Sequence, residues 1–509
     1  MPRPPNIPKR KLPTIGKPAG QQAQPSQIQK LIAQGLAIHQ QGKLLEAKVI
    51  YEQVLDIQPN NFSALQLMGV MYAQTNNYLQ AIEFLSKAIK INPQFAPCYN
   101  NIGLALQELK RLDEALASYD KAISIKPDYA DAYSNRGNAL KELKRLDEAL
   151  ASYDKAISIK PDYADAYSNR GVALQELKRL DEALASYDKA ISIKPDYAEA
   201  HWNKSLALLL DGQFAQGWQE YEWRWKNENI SKIAGIRNFP QPLWLGTESL
   251  KDKTILLYAE QGLGDTIQFC RYVSLVSELG AKVILEVQRP LVKLLKNLEG
   301  VNQIVAKGNT LPSFDYQCPL LSLPLAFKTE LNTIPSASKN ITSDNEKYSK
   351  WQAKLGEKTK PRVGIVWSGS TIHKNDHNRS LTLSQLLPYL PSNIVYVCLQ
   401  KELRSIDKEV LEKNSHIQFY GDALEDFTDT AALCDLMDVV ISVDTSVAHL
   451  AGTLGRTTWV LLPFSPDWRW SLDGNDSPWY PTAKLCRQER IGDWNGILEK
   501  LNGDLEKIH

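Results

Sequence analysis

A period of 34 residues, repeated between positions 27 and 230, is the feature that most constrains how this chain folds. A period of this length is typical of stacked helix pairs. One helix pair cannot bury its own apolar face, so the pairs are predicted to stack into a curved α solenoid with a concave surface. Proline and glycine both keep the period, at Pro59, Pro93, Pro127, Pro161 and Pro195 and at Gly35, Gly69, Gly103, Gly137 and Gly171.

Each of the first five units also carries an alanine four residues before a large side chain, as in Ala149 and Tyr153. Small residues at these points allow two helices to pack closely. The combination of small residues, an aromatic residue and a terminal proline resembles the tetratricopeptide repeat. The resemblance covers residues 27–230 and implies six repeats that recruit a protein or peptide. Residues 1–26, rich in proline and basic side chains, are predicted to be a disordered tail.

Asparagine keeps the same step in the last four units, at Asn101, Asn135, Asn169 and Asn203. An amide side chain both donates and accepts hydrogen bonds, so a row of them can hold an extended peptide backbone of any sequence. Such a row resembles the asparagine ladder of O-linked N-acetylglucosamine transferases. Recent duplication is the alternative explanation, because several units are nearly identical. The divergent sixth unit nevertheless keeps Asn203, which favours acceptor binding.

A different pattern begins after the repeats, where residues 231–250 are predicted to form a packed linker anchored by Trp244. Short β-rich runs then alternate with helical patterns, which indicates parallel sheets. The runs form two groups, at residues 251–350 and 361–509, and predict two Rossmann-like halves. Ligands of such folds bind at the carboxyl ends of the strands, so the cleft between the halves is the expected site.

Two predicted strand-to-helix junctions carry candidate functional residues. Gly262 and Gly264 permit a tight turn before Asp265, and the run VVISV leads into DTSVAH at Asp444–His449. A helix N-terminus offers N–H groups and a positive dipole to an anion such as phosphate. The same Asp, Thr and Ser residues are also ordinary helix caps, so capping alone is the alternative. The dinucleotide pattern GxGxxG is absent, which disfavours a nicotinamide enzyme.

Composition excludes several other classes. Lys and Arg total 59 against 58 acidic residues, a balance that does not predict nucleic-acid binding. The six cysteines stand singly, and His373 and His377 lie in a polar loop rather than on a helix, so no metal site is predicted. No apolar run reaches the length of a membrane span, and the N-terminus lacks a signal-peptide core. A cytoplasmic protein is expected.

Four segments of the second region resemble bacterial family 9 glycosyltransferases, the heptosyltransferase relatives: GLGDTIQF, WSGSTIHKNDHNRSL, DTAALCDLMDVVISVDTSVAHLAGTLGRTTWVLLP and DWRWSLDGNDSPWYPTAKLCRQ. The resemblance covers roughly residues 250–495. It implies the GT-B architecture and inverting, metal-independent transfer of a hexosyl or heptosyl group from a nucleotide-diphosphate sugar. The sugar nucleotide is the substrate, and no cofactor is implied. The fusion to repeats is similar in layout to the O-linked N-acetylglucosamine transferases, which favours a protein acceptor.

The resemblance also assigns roles to residues. Asp265 matches the family's Gly-x-Gly-Asp turn and is expected to be the general base that takes the acceptor proton. Donor binding is expected from the C-terminal half, through Arg379, Lys401, Asp444, Thr445, Ser446, Val447, Ala448 and His449. A lipid-linked or polysaccharide acceptor would require the same catalytic half. A non-catalytic peptide-binding scaffold would keep the fold without turnover.

Overall fold

A computed structural model describes residues 26–235, 237–335, 341–373 and 375–508. The predicted disordered tail, residues 1–26, lies outside the described residues except for Ser26, which caps the first helix. The chain divides into two compact units, Met1–Pro195 and Asp196–His509. Each unit is described by itself.

The first unit is built of consecutive antiparallel helix pairs, as the period predicts. In chain order the helices are α1 (Gln27–Gln40), α2 (Leu44–Ile57), α3 (Phe62–Gln74), α4 (Tyr78–Ile91), α5 (Ala96–Glu108), α6 (Leu112–Ile125), α7 (Ala130–Glu142), α8 (Leu146–Ile159), α9 (Ala164–Glu176) and α10 (Leu180–Ile193). Each helix packs on the next, so the predicted helical solenoid is confirmed.

Close helix packing explains why glycine keeps the period. A Cβ atom added at Gly137 would lie 2.6 Å from Cε1 of Tyr153 on the paired helix, and Gly103 meets Tyr119 in the same way. Tyr153 and its neighbour Ala149 are fully buried. Any larger residue at the glycine would therefore push the two helices of a pair apart.

The second unit begins with two more helices and continues into an α/β region. Its helices are α11 (Ala198–Leu210), α12 (Phe214–Tyr221), α13 (Glu228–Ala234), α14 (Leu263–Phe269), α15 (Val273–Glu278), α16 (Val292–Leu295), α17 (Leu323–Ala326), α18 (Asn345–Leu355), α19 (Asp376–Arg379), α20 (Leu383–Leu386), α21 (Ser405–Glu412), α22 (Phe427–Asp435), α23 (Ser446–Thr453) and α24 (Asn495–Leu505). Its strands are β1 (Thr254–Tyr258), β2 (Lys282–Val287), β3 (Val301–Ala306), β4 (Tyr316–Pro319), β5 (Arg362–Val366), β6 (Val395–Cys398), β7 (Ile417–Phe419), β8 (Val439–Val443), β9 (Thr458–Leu462) and β10 (Ala483–Arg487).

These strands form two sheets whose paired strands are all parallel, as predicted. The first sheet has the order β3-β2-β1-β4 and the second β10-β9-β8-β5-β6-β7. In the first sheet the chain adds β2 and β3 on one side of β1 and then places β4 on the other side. In the second sheet it adds β6 and β7 on one side of β5 and then places β8 on the other. The order therefore reverses between β1 and β4 and between β5 and β8. Such reversals are the points where doubly wound sheets bind ligands.

Helices α11 and α12, which the period assigns to the sixth repeat, fall within the compact unit that contains the sheets. Trp218 on α12 is 2 % exposed, and its indole N–H donates to the Thr329 carbonyl at 3.0 Å. In the linker, Trp244 is buried, and its main-chain N–H donates to the Gln317 carbonyl at 2.9 Å, so the predicted anchor packs onto β4. Across the described ranges, none of the helices combines the length and apolar character needed to cross a bilayer.

Candidate functional site

The junction between β8 and α23 lies at the reversal point of the six-stranded sheet. All five residues of β8 are buried, and Thr445 caps the helix by accepting a hydrogen bond from the Val447 N–H at 3.3 Å. The capping role that the sequence allowed is thus present. Ser446 is half-buried, while Val447, Ala448 and His449 are buried in the first turn. Capping by one hydroxyl still leaves the positive end of the helix dipole directed at this edge of the sheet.

Arg379 connects the two strands that flank the reversal point. Its Nη1 donates to the Asp444 carbonyl, just after β8, at 2.8 Å. Its guanidinium also lies against Gly369, just after β5, where an added Cβ would be 2.8 Å from Nη2. Within the described part of the chain, the buried Nε of Arg379 has no hydrogen-bond partner. A cation with a spare donor therefore sits where the fold places ligands.

The second predicted cation, Lys401, is held elsewhere. Its ammonium group donates to the carbonyl oxygens of Leu424 and Glu425, at 2.8 and 3.4 Å, on the connection between β7 and α22. Arg404, which the sequence did not single out, donates instead to the Gly369 carbonyl at 3.3 Å and pairs with Asp376. Gly369 thus contacts two arginines. No spacing rule connects residues 369 and 404, so only the fold could reveal this pair.

His449 is a neutral packing residue in this arrangement. Its Nδ1 is 2.9 Å from the Tyr480 hydroxyl, and its ring stacks on Trp470 with centroids 5.1 Å apart. Burial, together with nearby Arg469, lowers the pKa of His449 to about 3. The imidazole therefore carries no charge near neutral pH and can offer an anion only a hydrogen bond.

Asp444 has the opposite tendency. Its Oδ1 lies 3.8 Å from Nε2 of His449, and burial together with the Asp467 carboxylate raises its pKa to about 6, against the opposing effect of Arg379. A carboxyl that holds its proton up to this pH repels a bound phosphate less than an ordinary aspartate does. Protonation of Asp444 therefore reduces the negative charge at the junction only below about pH 6.

The raised pKa of Asp444 predicts a pH-dependent stability. Because the folded state holds this proton more tightly than the unfolded state, the contribution of Asp444 to stability falls as pH rises from about 4 to about 6. Asp444→Asn removes this titrating group. The free energy of unfolding of the variant, relative to that of the parent, should therefore rise by roughly 1–3 kcal/mol between pH 4 and pH 7. Urea unfolding at both pH values measures this gain. Asp252→Asn, an exposed carboxylate elsewhere, controls for net charge. A gain identical at both pH values would contradict the assignment.

Asp265 follows β1 of the four-stranded sheet and lies close to the junction between β8 and α23. Its Oδ2 accepts the Gly262 N–H at 2.8 Å, which closes the turn after β1. Its Oδ1 pairs with Arg469, which also donates at 2.8 Å to Asp467 and to Gln268. Both carboxylate oxygens of Asp265 are therefore already engaged, although each oxygen can accept a second hydrogen bond.

Gly264 brings the two junctions into contact. A Cβ added there would lie 2.8 Å from Cδ2 of His449 and 3.4 Å from the Ser446 Cα. Helix α14 from the first sheet thus packs directly on α23 from the second. The fold therefore brings together Asp265, Arg379, Asp444 and the first turn of α23, while Lys401 is bonded to a different loop. We call this cluster the junction site.

The predicted acceptor residues divide between the two units. Asn101, Asn135 and Asn169 lie on α5, α7 and α9 of the first unit, and Asn203 lies on α11 of the second. Asn135 is 4 % exposed, and its Nδ2 donates to Oδ1 of Asn100 at 2.9 Å. Part of its hydrogen-bonding capacity is therefore spent on the preceding repeat. Peptide binding by the row stays a prediction.

The histidine pair of the polar loop does not form a metal centre with other side chains that the structure describes. His373 accepts the Asn375 N–H through Nδ1 at 3.2 Å. Among the described residues, no three His, Cys, Asp or Glu side chains are grouped to hold a metal ion. The metal-independent chemistry expected from the sequence stays a prediction.

Protein-family models match the first unit. The model described as TPR repeat matches residues 108–144 and 137–178, and the tetratricopeptide repeat model matches residues 164–197. A third model, described as anaphase-promoting complex, cyclosome, subunit 3, matches residues 40–122. The N-terminal region consists of tetratricopeptide repeats. The matched segments end near Pro195, where the first compact unit also ends.

Similar proteins extend the comparison. Protein FlbA of Caulobacter vibrioides is 25 % identical over 324 residues, which are 58 % of this chain and 52 % of FlbA. This chain thus spans about half the length of the curated relative it matches. Among solved structures, MamA is 30 % identical over 32 % of this chain and 96 % of its own, with a TM-score of 0.30. YrrB, described as a TPR protein with an unusual peptide-binding site, is 26 % identical over 35 % of this chain and 91 % of its own, with a TM-score of 0.30.

Proposed function

We propose that this chain is a glycosyltransferase of the GT-B type that moves a sugar from a nucleotide-diphosphate donor to a protein acceptor recruited by the repeats. The observation that carries the proposal is Arg379, which bridges the reversal point of the six-stranded sheet and whose buried Nε has no hydrogen-bond partner among the described residues. Two parallel sheets that meet through α14 and α23 support the assignment to the GT-B architecture.

The donor half of the reaction needs positive charge where the diphosphate leaves. Transfer without a metal ion requires that side-chain cations and oriented N–H groups supply this charge. Arg379 and the N-terminal turn of α23 would supply this charge, with Arg404 close by at Gly369. Lys401 would join them only if its ammonium group left the carbonyls of Leu424 and Glu425.

The acceptor half needs a base near the sugar carbon. Asp265 lies at the opposite wall of the junction site, on the helix that Gly264 packs against α23. An acceptor hydroxyl held between Asp265 and the donor would lose its proton to the carboxylate as it attacks, and the diphosphate would leave toward Arg379. Asn101, Asn135, Asn169 and Asn203 would hold the acceptor's backbone.

A nucleotide-sugar-binding scaffold without turnover is the second candidate. The ion pair between Asp265 and Arg469 favours it, because a carboxylate oxygen already engaged by an arginine is less available to an acceptor hydroxyl. The two candidates share donor binding and differ in whether the donor is consumed. A lipid-linked or polysaccharide acceptor is distinguished by the identity of the labelled product.

Donor binding is expected to raise the melting temperature of the full chain in the presence of a chelator. The panel is UDP, GDP, ADP and CMP and their common sugar conjugates, each with EDTA or with magnesium. A ligand at 100 times its Kd should stabilise the fold by about 2.7 kcal/mol. Arg379→Ala should abolish the shift, whereas Arg490→Ala, an exposed arginine of the same half, should preserve it. No shift with any ligand, or a shift that requires magnesium, would refute this donor site.

A further inference from the structure

The helix pair that precedes the first sheet contacts both walls of the junction site. Helix α11 packs against the turn Trp468–Trp470, and the Trp218 ring of α12 meets the Trp468 ring with centroids 5.2 Å apart. Trp218 and Trp468 are 2 % and 3 % exposed. Trp468 is followed directly by Arg469, the ion-pair partner of Asp265. Helices α11 and α12 therefore support the wall formed by the second sheet.

The same helix pair holds the other wall by hydrogen bonds. The Tyr221 hydroxyl, at the end of α12, accepts a hydrogen bond from Nε2 of Gln261 at 3.1 Å. Gln261 immediately precedes the turn that presents Asp265, and its carbonyl accepts from Gln288 at 2.8 Å. The turn after β1 is thus held on one side by Gln288, which directly follows β2, and on the other by α12.

Arg224, in the turn that follows α12, contacts the ends of two strands of the first sheet. Its side chain is fully buried, and its Nη2 donates to the Ser322 hydroxyl at 2.6 Å and to Oε1 of Glu260 at 3.3 Å. Its Nη1 pairs with Glu222. Glu260 lies just after β1 and Ser322 just after β4, so Arg224 sits at the reversal point of the four-stranded sheet.

We propose that residues 198–225 act as a buttress of the junction site and that Arg224 is a positioning residue that sets the turn carrying Asp265. The structural role of residues 198–225 does not depend on whether the chain is an enzyme. The role of Arg224 in catalysis rests on the proposed function. Although these helices continue the period of the repeats, they serve the α/β region. Asn203 lies on α11, within this segment.

Burial explains why this contact would control the turn. A fully buried guanidinium is tolerated only when carboxylates and other acceptors compensate it, and a buried carboxylate left alone is equally costly. Burial raises the pKa of Glu260 to about 7, with Arg224 opposing the rise. Loss of Arg224 therefore leaves the Glu260 carboxylate without its charge partner. Either Glu260 takes up a proton, or the backbone at the end of β1 rearranges to expose it to water.

Hydrogen exchange of the full chain tests the buttress without a substrate. Arg224→Met should speed amide exchange by at least about 10-fold in residues 259–266 and 465–471, because local opening becomes easier. Arg237→Met is the matched control, since Arg237 also pairs with a buried glutamate, Glu286, in the same sheet. It should leave both segments at the parent's rate. Unchanged exchange in Arg224→Met, or equal acceleration in both variants, would overturn the proposal.

A milder variant guards against global unfolding. Tyr221→Phe removes only the hydroxyl that accepts from Gln261, so exchange should rise in residues 259–266 and stay unchanged in 465–471. If the chain turns over a nucleotide sugar, Arg224→Met should lower kcat while the donor's thermal shift is kept, and Arg224→Lys should restore part of kcat. A chain without turnover would end the proposed function, whereas the exchange pattern would still decide on the buttress.

Discussion

Replacement of Asp265 by Asn is expected to lower turnover of the nucleotide sugar by roughly 10²–10⁴-fold, with little change in donor affinity. Asn keeps the side chain's shape and its hydrogen bond from the Gly262 N–H, but it cannot take the acceptor's proton. Release of the nucleoside diphosphate, measured with the donor selected by thermal shift, gives kcat. Donor affinity comes from the thermal shift of the same variant. Near-normal turnover would rule Asp265 out as the base.

Two controls show whether Asp265 acts as a base or only joins the two sheets through its ion pair with Arg469. Asp252→Asn removes an exposed carboxylate outside the junction site and should behave as the parent. Arg469→Gln removes the ion pair but leaves the Asp265 carboxylate, so it should cost less turnover than Asp265→Asn if Asp265 is the base. Equal losses in Asp265→Asn and Arg469→Gln would make Asp265 a clamp between the two sheets.

Simultaneous replacement of Asn101, Asn135, Asn169 and Asn203 by Ala is expected to raise the KM for a protein acceptor by roughly 30-fold or more. Each amide contact contributes about 0.5–1.5 kcal/mol net, and four such contacts reach at least about 2 kcal/mol. Donor affinity should be unchanged. The measurement is the acceptor concentration dependence of transfer, with the donor saturating.

The control for the asparagine variant uses the same period on the second helices. Ser124, Ser158 and Ser192 are exposed and recur at the same step, so their combined change to Ala should leave KM unchanged. Asn135 is buried and bonded to Asn100, so a triple variant that retains it keeps the solenoid folded and still tests the row. An unaltered KM in folded triple and fourfold variants would make the asparagines a relic of duplication.

The first unit was predictable because its information is local. The contact that requires glycine at Gly137 joins it to Tyr153 within one repeat, and the same contact recurs at the same spacing in its neighbours. Parallel sheets were predictable for the related reason that each strand and helix has its own periodicity. The junctions after β1 and β8 could be located in the sequence because a short turn joins a strand to a helix at both points.

The composition of the site was less predictable because its contacts join distant segments. Arg379 and Lys401 were equivalent as cations in the sequence, but the fold bonds one to Asp444 and the other to the loop at Leu424. Arg404 was not predicted, because its proximity to Gly369 follows from the pairing of β5 with β6. The charge of a side chain is known from the sequence, whereas the group it bonds to depends on the order of the strands in the sheet.

The sequence by itself determined that the chain starts as a helical repeat array and continues as parallel α/β structure, since both follow from spacing along the chain. Only the tertiary structure decided which unit the sixth helix pair serves. Its spacing continues the repeats, but the Trp218, Tyr221 and Arg224 side chains are buried within the unit that contains the sheets. The physical reason is that a buried cation and large aromatic rings take the position where distant acceptors and apolar surfaces compensate them, here Glu260, Ser322 and Trp468.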